Sequence, residues 1–90
     1  MKRIKVIISG KVIGVFFRLF IKENANKLNV KGIAKNTADE KIEAVFEGDE
    51  DAIRKLVKKC KKGPKNARIE NVNIVEEKFV GEFENFKIVY

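Results

Sequence analysis

The sequence predicts an α+β sandwich, an antiparallel sheet with two helices on one face. Three observations lead to it. Stretches with two-residue apolar alternation and stretches with three- to four-residue apolar spacing follow one another in the order β-α-β-β-α-β. Glycine, proline, asparagine and clustered charges mark the boundaries between them. Ninety residues, 44% apolar and 37% charged, suit one globular domain with a modest core and argue against disorder.

Residues 2–9 set Ile4, Val6 and Ile8 on one side of a first strand, which Gly10 ends. Gly14 follows in the loop. A helix is predicted from about 16 to 28, where Phe17, Phe20, Ile21, Asn24, Ala25 and Leu28 recur at helical spacing. Asn29 can close it in the left-handed conformation. Residues 30–36 and 41–47 read as a hairpin, with 36–40 as its turn. In the second of these strands Ile42, Ala44 and Phe46 face one way, Glu43 and Glu47 the other.

A second helix, from about Asp49 to Lys62, carries the stripe Ala52, Ile53, Leu56, Val57 and Cys60. Glu50 and Asp51 sit at its positive end and Lys58, Lys59, Lys61 and Lys62 at its negative end, matching the macrodipole. Gly63-Pro64 stops it. Residues 67–77 form a strand in which Ile69 is out of phase with Val72 and Ile74, so a bulge or bend is expected. Residues 86–90 alternate as a short last strand. The order is that of the ferredoxin-like split βαβ fold, which hosts many functions and identifies none.

Composition narrows the chemistry. Cys60 is the one cysteine, so neither an internal disulfide nor a cysteine-built zinc site can form, and a reducing, cytoplasmic compartment is expected. Without histidine there is no imidazole base and no imidazole ligand. No stretch approaches the ~20 apolar residues of a membrane span. The start Met1–Ile8 lacks the length and cleavage site of a signal peptide. The net charge of +7 favours anionic partners without choosing among phosphate esters, nucleic acid and membrane surfaces. A lysine-rich solvated surface accounts for most of it.

The stretch Ser9-Gly10-Lys11-Val12-Ile13-Gly14-Val15-Phe16-Phe17-Arg18 joins a strand to a helix. Its glycines let the backbone approach a ligand, successive N–H groups can form an anion nest, and a helix N-terminus adds positive charge. Arg18, one of four arginines against sixteen lysines, stands in an apolar run. A guanidinium forks onto two phosphate oxygens, which an ammonium cannot do. On these residues alone, a phosphate cradle and a turn with a snorkelling arginine stand level.

The pattern Gly-x-Val-Gln-Gly-Val-x-Phe-Arg marks the acylphosphatases, and Gly10–Arg18 resembles it with only the Gln replaced, by Ile13. A second family motif is matched by Gly32-Ile33-Ala34-Lys35-Asn36-Thr37. The family's ending is matched by Gly63-Pro64, Ala67-Arg68-Ile69, Gly81-Glu82-Phe83, Phe86, Ile88 and Tyr90. The resemblance covers nearly the whole chain. It implies hydrolysis of a carboxyl-phosphate mixed anhydride, a small-molecule acyl phosphate, to carboxylate and inorganic phosphate.

By the same resemblance Arg18 would bind the phosphoryl group. The N–H groups of Ile13, Gly14, Val15, Phe16 and Phe17, up to Arg18, would cradle its oxygens, and Asn36 would hold the attacking water. Asn36 can equally be a turn residue of the hairpin, and Thr37 is expected to be structural. A carboxylate leaves readily and the transition state needs mainly charge stabilisation and positioning, so no metal or other cofactor is expected. Asp49, Glu50 and Asp51 are helix-start charges.

Departures from the family pattern are Ile13, Ile33 in place of a Trp, Asn29 in place of a helix-ending Gly, and Glu40 in place of the hairpin's Gly. Ile13 would cost a polar side chain at the cradle's edge, and Glu40 could shift Asn36. A catalytically weak anion-binding relative is therefore one alternative. An RNA-binding module is another, although the first and third strands offer only Phe46 as an aromatic platform. A domain of a larger carbamoyl-transfer protein is a third. The chain starts at Met1 and ends at the motif's Tyr90, so a free-standing protein is expected; nothing demands more than a monomer, and no membrane and no obligate nucleic-acid partner are expected. Little in the sequence would read the acyl side of a substrate.

Overall fold

The computed structural model describes residues 1–90. Its elements are β1 (Lys2–Lys11), α1 (Phe17–Lys27), β2 (Lys31–Asn36), β3 (Ile42–Gly48), α2 (Glu50–Lys62), β4 (Arg68–Glu77) and β5 (Phe86–Val89). The sheet order is β4-β1-β3-β2-β5. The first four strands pair antiparallel, and β5 lies on the outer edge of β2, parallel to it. The architecture is the predicted ferredoxin-like α+β fold, its antiparallel sheet extended by one parallel edge strand.

The alternation along β1 explains the layering. Ile4, Val6 and Ile8 stand opposite Phe46, Ala44 and Ile42 of β3, and all six are buried beneath the helices. Phe17, Ile21 and Ala25 of α1 and Ile53, Leu56, Val57 and Cys60 of α2 close the same core. Burying such side chains, at about 1.5–3 kcal/mol each, supplies most of the drive to fold. Burial pushes the Cys60 thiol up to about 12, so it behaves as an apolar core group rather than a nucleophile.

The punctuation follows the sequence closely. Asp49 caps α2 by accepting from the Asp51 N–H at 3.2 Å. Asn29 takes φ 56° after α1. The N–H groups of Val30 and Asn29 donate back to the carbonyls of Ala25 and Asn26 at 2.9 and 3.3 Å, the paired bonds of a Schellman ending. The bulge expected near Ile69 is present: Ser9 pairs Asn71 and Gly10 pairs Ile69, leaving Glu70 over. Gly10 does not end β1, which continues to Lys11. At φ 128° it carries the ladder through the bulge, where a Cβ would stand 2.1 Å from the Arg68 carbonyl oxygen.

After β4 the chain crosses from one edge of the sheet to the other. Glu47, on β3 and 3% exposed, holds that crossing. Its carboxylate accepts from the N–H groups of Val80, Gly81 and Glu82 at 3.0, 3.0 and 3.2 Å. It also accepts from Arg3 at 3.1 Å, and Arg3 in turn donates to Glu77 and Glu82. Glu47 faces away from the helices, as its place in the strand predicts, but the crossing covers it. Burial pushes its carboxyl up, and the amides and Arg3 outweigh that and hold it below its ordinary value of 4.5.

The β2–β3 turn carries strain. Glu40 sits at φ 61°, the left-handed position that closes a three-residue hairpin loop and usually belongs to glycine. Glu40→Gly should stabilise the protein by about 0.5–1 kcal/mol, the left-handed penalty less the entropy of glycine. Thermal melting should show a rise of several degrees, and a fall in Tm would refute the strain. For Glu47 the sign is that of a depressed carboxylate: its contribution is present above pH 4.5 and is lost as pH falls through its lower folded value. Glu47→Gln should cost about 3 kcal/mol at neutral pH and flatten the acid limb of a stability-versus-pH curve. An acid limb as steep as the parent's would contradict this role.

Candidate active site

β1 is antiparallel to β3, β2 is antiparallel to β3, and β5 is parallel to β2. β1, β2 and β5 therefore run the same way, and their carboxyl ends gather on one side of the sheet. The loop 12–16 leaves β1 there, Asn36 ends β2 there, and Tyr90 follows β5 there.

The loop is pinned at both ends by Val12 and Phe17, which are buried in the core. Ile13 and Val15 also turn their side chains onto the core cluster. This leaves the backbone to face solvent. Gly14 takes φ 76°, and a Cβ on it would meet nothing within 4 Å, so here glycine serves conformation and an open approach. Phe16 takes φ 60°, ψ 32° with its ring 81% exposed. That is an outlier for a bulky residue, placed directly before α1.

The N–H groups of Ile13, Gly14, Val15 and Phe16 donate to no carbonyl of the chain. The start of α1 has no side-chain cap and no acidic residue in its first turn. α2 has both, with Asp49 as its cap and Glu50 and Asp51 in its first turn. One helix N-terminus is thus neutralised by the chain and the other is left bare, beside four unpaired amides.

Arg18 stands in the first turn of α1. Its guanidinium lies over the Tyr90 ring, 4.8 Å from the centroid, and donates to the Val89 carbonyl at 3.4 Å. Arg3 and Arg54 are both paired with carboxylates; Arg18 pairs with none, which leaves most of its fork of donors free. Asn36 is exposed at the end of β2, with its backbone in register opposite Ile42. Its side-chain amide has no partner within the chain. Thr37 closes the turn instead: its N–H donates to the Lys41 carbonyl at 2.8 Å, and its Oγ1 accepts from the Lys41 N–H at 3.0 Å. The Glu40 N–H donates to the Thr37 carbonyl at 3.1 Å. The left-handed Glu40 therefore keeps the register of Asn36 despite the missing glycine.

Arg18, Gly14 and Asn36 line one cleft of about 470 Å³, floored by Val12 and Phe17. Phe16, Leu19, Ile88 and Tyr90 form its apolar rim. No Asp, Glu, Cys or His side chain lines it. Of the loop residues expected at the cradle, Gly14, Phe16 and Phe17 line the cleft, while Ile13 and Val15 do not line it and pack against the core. Ile13 is half-buried, its side chain packed against the core. Sequence reasoning gave Ile88 and Tyr90 no part in the site, because their place depends on β5 joining β2 across the whole sheet. No group of three or more His, Cys, Asp or Glu residues could hold a metal ion.

Comparison with known proteins finds acylphosphatases among both the sequence and the structural relatives. The acylphosphatase family model matches residues 4–88. An acylphosphatase of Syntrophus aciditrophicus is 40% identical over 90 residues, covering 100% of this chain and 94% of its own. One of Pyrobaculum aerophilum is 46% identical over 90 residues, covering 99% and 95%. The crystal structure of acylphosphatase from Bacillus subtilis aligns over 100% of both chains, with a TM-score of 0.96 at 31% identity.

Proposed function

The chain belongs to the acylphosphatase family and is an acylphosphatase; from that premise we propose that it hydrolyses carboxyl-phosphate mixed anhydrides by direct attack of water on phosphorus. The observation that carries this mechanism is the meeting, in one cleft without acidic side chains, of an arginine unpaired with any carboxylate, loop amides with no acceptor and a free asparagine amide.

The phosphoryl oxygens sit against the N–H groups of Ile13–Phe17, the α1 N-terminus and the Arg18 fork. These donors are fixed before substrate arrives, since Val12 and Phe17 hold the loop and Tyr90 and Val89 hold Arg18. Preorganised donors of this kind supply about 3–4 kcal/mol each to a transition state with spread negative charge. The Asn36 amide holds a water in line with the bond to the acyl oxygen. Water's oxygen bonds to phosphorus, the bond from phosphorus to the acyl oxygen breaks, and its electrons leave on the carboxylate. The water's proton passes to a phosphoryl oxygen, because Arg18 is already protonated and the Asn36 amide is no base. The products are a carboxylate and inorganic phosphate.

The apolar rim would read the acyl group. A phosphoryl group seated at Gly14 and Arg18 leaves its acyl substituent beside Phe16, Leu19 and Tyr90, which favours bulky apolar acyl chains over small ones. We place the protein in the cytoplasm on the strength of its single reduced, buried thiol, and as a monomer, since the cleft takes all its residues from one chain. The RNA-binding alternative loses ground, because Phe46 and Phe86 point into the core, their rings 6.0 Å apart.

Benzoyl phosphate should be hydrolysed with EDTA present. Arg18→Ala should lower kcat/KM by at least about 100-fold, whereas Asn36→Ala should act on kcat with KM nearly unchanged. Near-parental turnover by Arg18→Ala would overturn the mechanism. For the rim, Leu19→Ser should raise KM for benzoyl phosphate about fivefold, the worth of roughly 1 kcal/mol of lost apolar contact, and leave acetyl phosphate unaffected. Equal changes for both substrates would rule out acyl reading there.

A further inference from the structure

The acylphosphatase cleft leaves most of the chain's positive charge unused, and that charge is not spread evenly. A second groove, of about 480 Å³, lies between α1 and α2 and shares no lining residue with the cleft. Lys27 of α1 and Lys55, Lys58, Lys59 and Lys62 of α2 line it. The four on α2 recur at i, i+3, i+4 and i+7, one face of a helix, and extend over roughly 10 Å. All five are solvent-exposed.

None of these ammonium groups has a carboxylate within 4 Å. The lysines that do pair are Lys2, Lys5, Lys35 and Lys41, on strands or the hairpin turn. Helix ends explain part of the cluster, since Lys27, Lys59 and Lys62 lie in last turns. Lys55 and Lys58 lie outside them. Two helix C-termini carry about one negative charge between them, against five positive ones. The groove thus keeps an excess of about four charges, crowded together at a repulsive cost that a bound polyanion would remove.

The lining also says what kind of polyanion fits. It holds no aromatic residue on which a base could stack and no arginine to fork onto a single phosphate or a base edge. Leu28 is its one apolar residue, which offers little to an acyl chain. Lysines act as point charges with no directional demand. A row of them in a narrow groove matches a thin ligand charged along its whole length. We propose that the α1–α2 groove binds an inorganic oligophosphate chain, at a site independent of the hydrolytic cleft.

The test is calorimetric titration with medium-chain inorganic polyphosphate, with the cleft kept saturated by inorganic phosphate. The wild-type chain should bind, and affinity should fall about tenfold or more between 50 and 200 mM salt. The triple variant Lys55→Gln, Lys58→Gln, Lys59→Gln should bind at least about tenfold more weakly, since it removes three of some four excess charges. Its benzoyl phosphate turnover should be unchanged. The triple Lys31→Gln, Lys78→Gln, Lys87→Gln removes equal charge elsewhere and should bind within about twofold of wild type.

Equal losses in the two triples would mean net charge and no groove site. Undiminished binding by the first triple, or loss of binding in Arg18→Ala, would equally overturn the proposal. Duplex DNA or phosphatidylserine vesicles bound more tightly per phosphate than polyphosphate, through the same lysines, would reassign the groove to a different partner. Each α2 substitution is at an exposed helical position and exchanges residues of similar helix propensity, and Lys31, Lys78 and Lys87 are likewise exposed, so both triples keep the fold.

Discussion

Glu47 spends a buried carboxylate on three backbone amides and one arginine, and the position of the last strand follows from that clasp. Residues 78–85 have no strand neighbours of their own to satisfy their N–H groups. Without an acceptor at the middle of the sheet they would have to remain in water. Glu47 supplies it, Arg3 balances the charge, and the crossing is fixed tightly enough to deliver β5 to the far edge. Once β5 lies parallel to β2, three strands end together on one side, and Tyr90 and Val89 come within reach of Arg18. The cleft at one end of the molecule is thus positioned by an ion cluster on the helix-free side of the sheet.

The two helices show how a single chain treats the same electrostatic problem in opposite ways. α2 begins with three acidic residues, one of them a cap, and is stable as it stands. α1 begins with a strained Phe16, no cap and no acid, after a loop whose amides have no acceptors. These local losses are compatible with folding because Val12 and Phe17 are buried on either side and Ile13 and Val15 pack inward between them. The hydrophobic core therefore holds the cradle open, and an anion entering it meets donors that need little rearrangement.

Much of this was readable from the residues. The alternation of β1, the stripes of both helices, the acidic start of α2 at Asp49, the left-handed Asn29 and the bulge near Ile69 are local consequences of spacing and side-chain chemistry, and all appear where expected. Arg18 and Asn36 could be paired only through the family motifs, since eighteen positions separate them and no periodicity joins them. What escaped depends on distant contacts. Gly10 looked like a strand terminus because nothing local reveals the carbonyl of Arg68 pressed against it. Glu47 looked like an ordinary solvent-facing strand residue because the crossing that buries it comes thirty-three positions later. Ile88 and Tyr90 were visible as motif residues without a role, because the edge they join is chosen by the crossing.

The make-up of the cradle bears on how such a site withstands mutational drift. The donors of the proposed cradle at positions 13–17 are main-chain groups, which no substitution other than proline deletes as long as the backbone keeps its path. Replacing a family Gln by Ile13 illustrates this, since the side chain changes and the amide stays. The genetic target for losing the site is accordingly narrow, concentrated at Arg18, Asn36, the open Gly14 and the two buried anchors. The remaining loop side chains can vary with the needs of core packing while the amides beneath them stay in place.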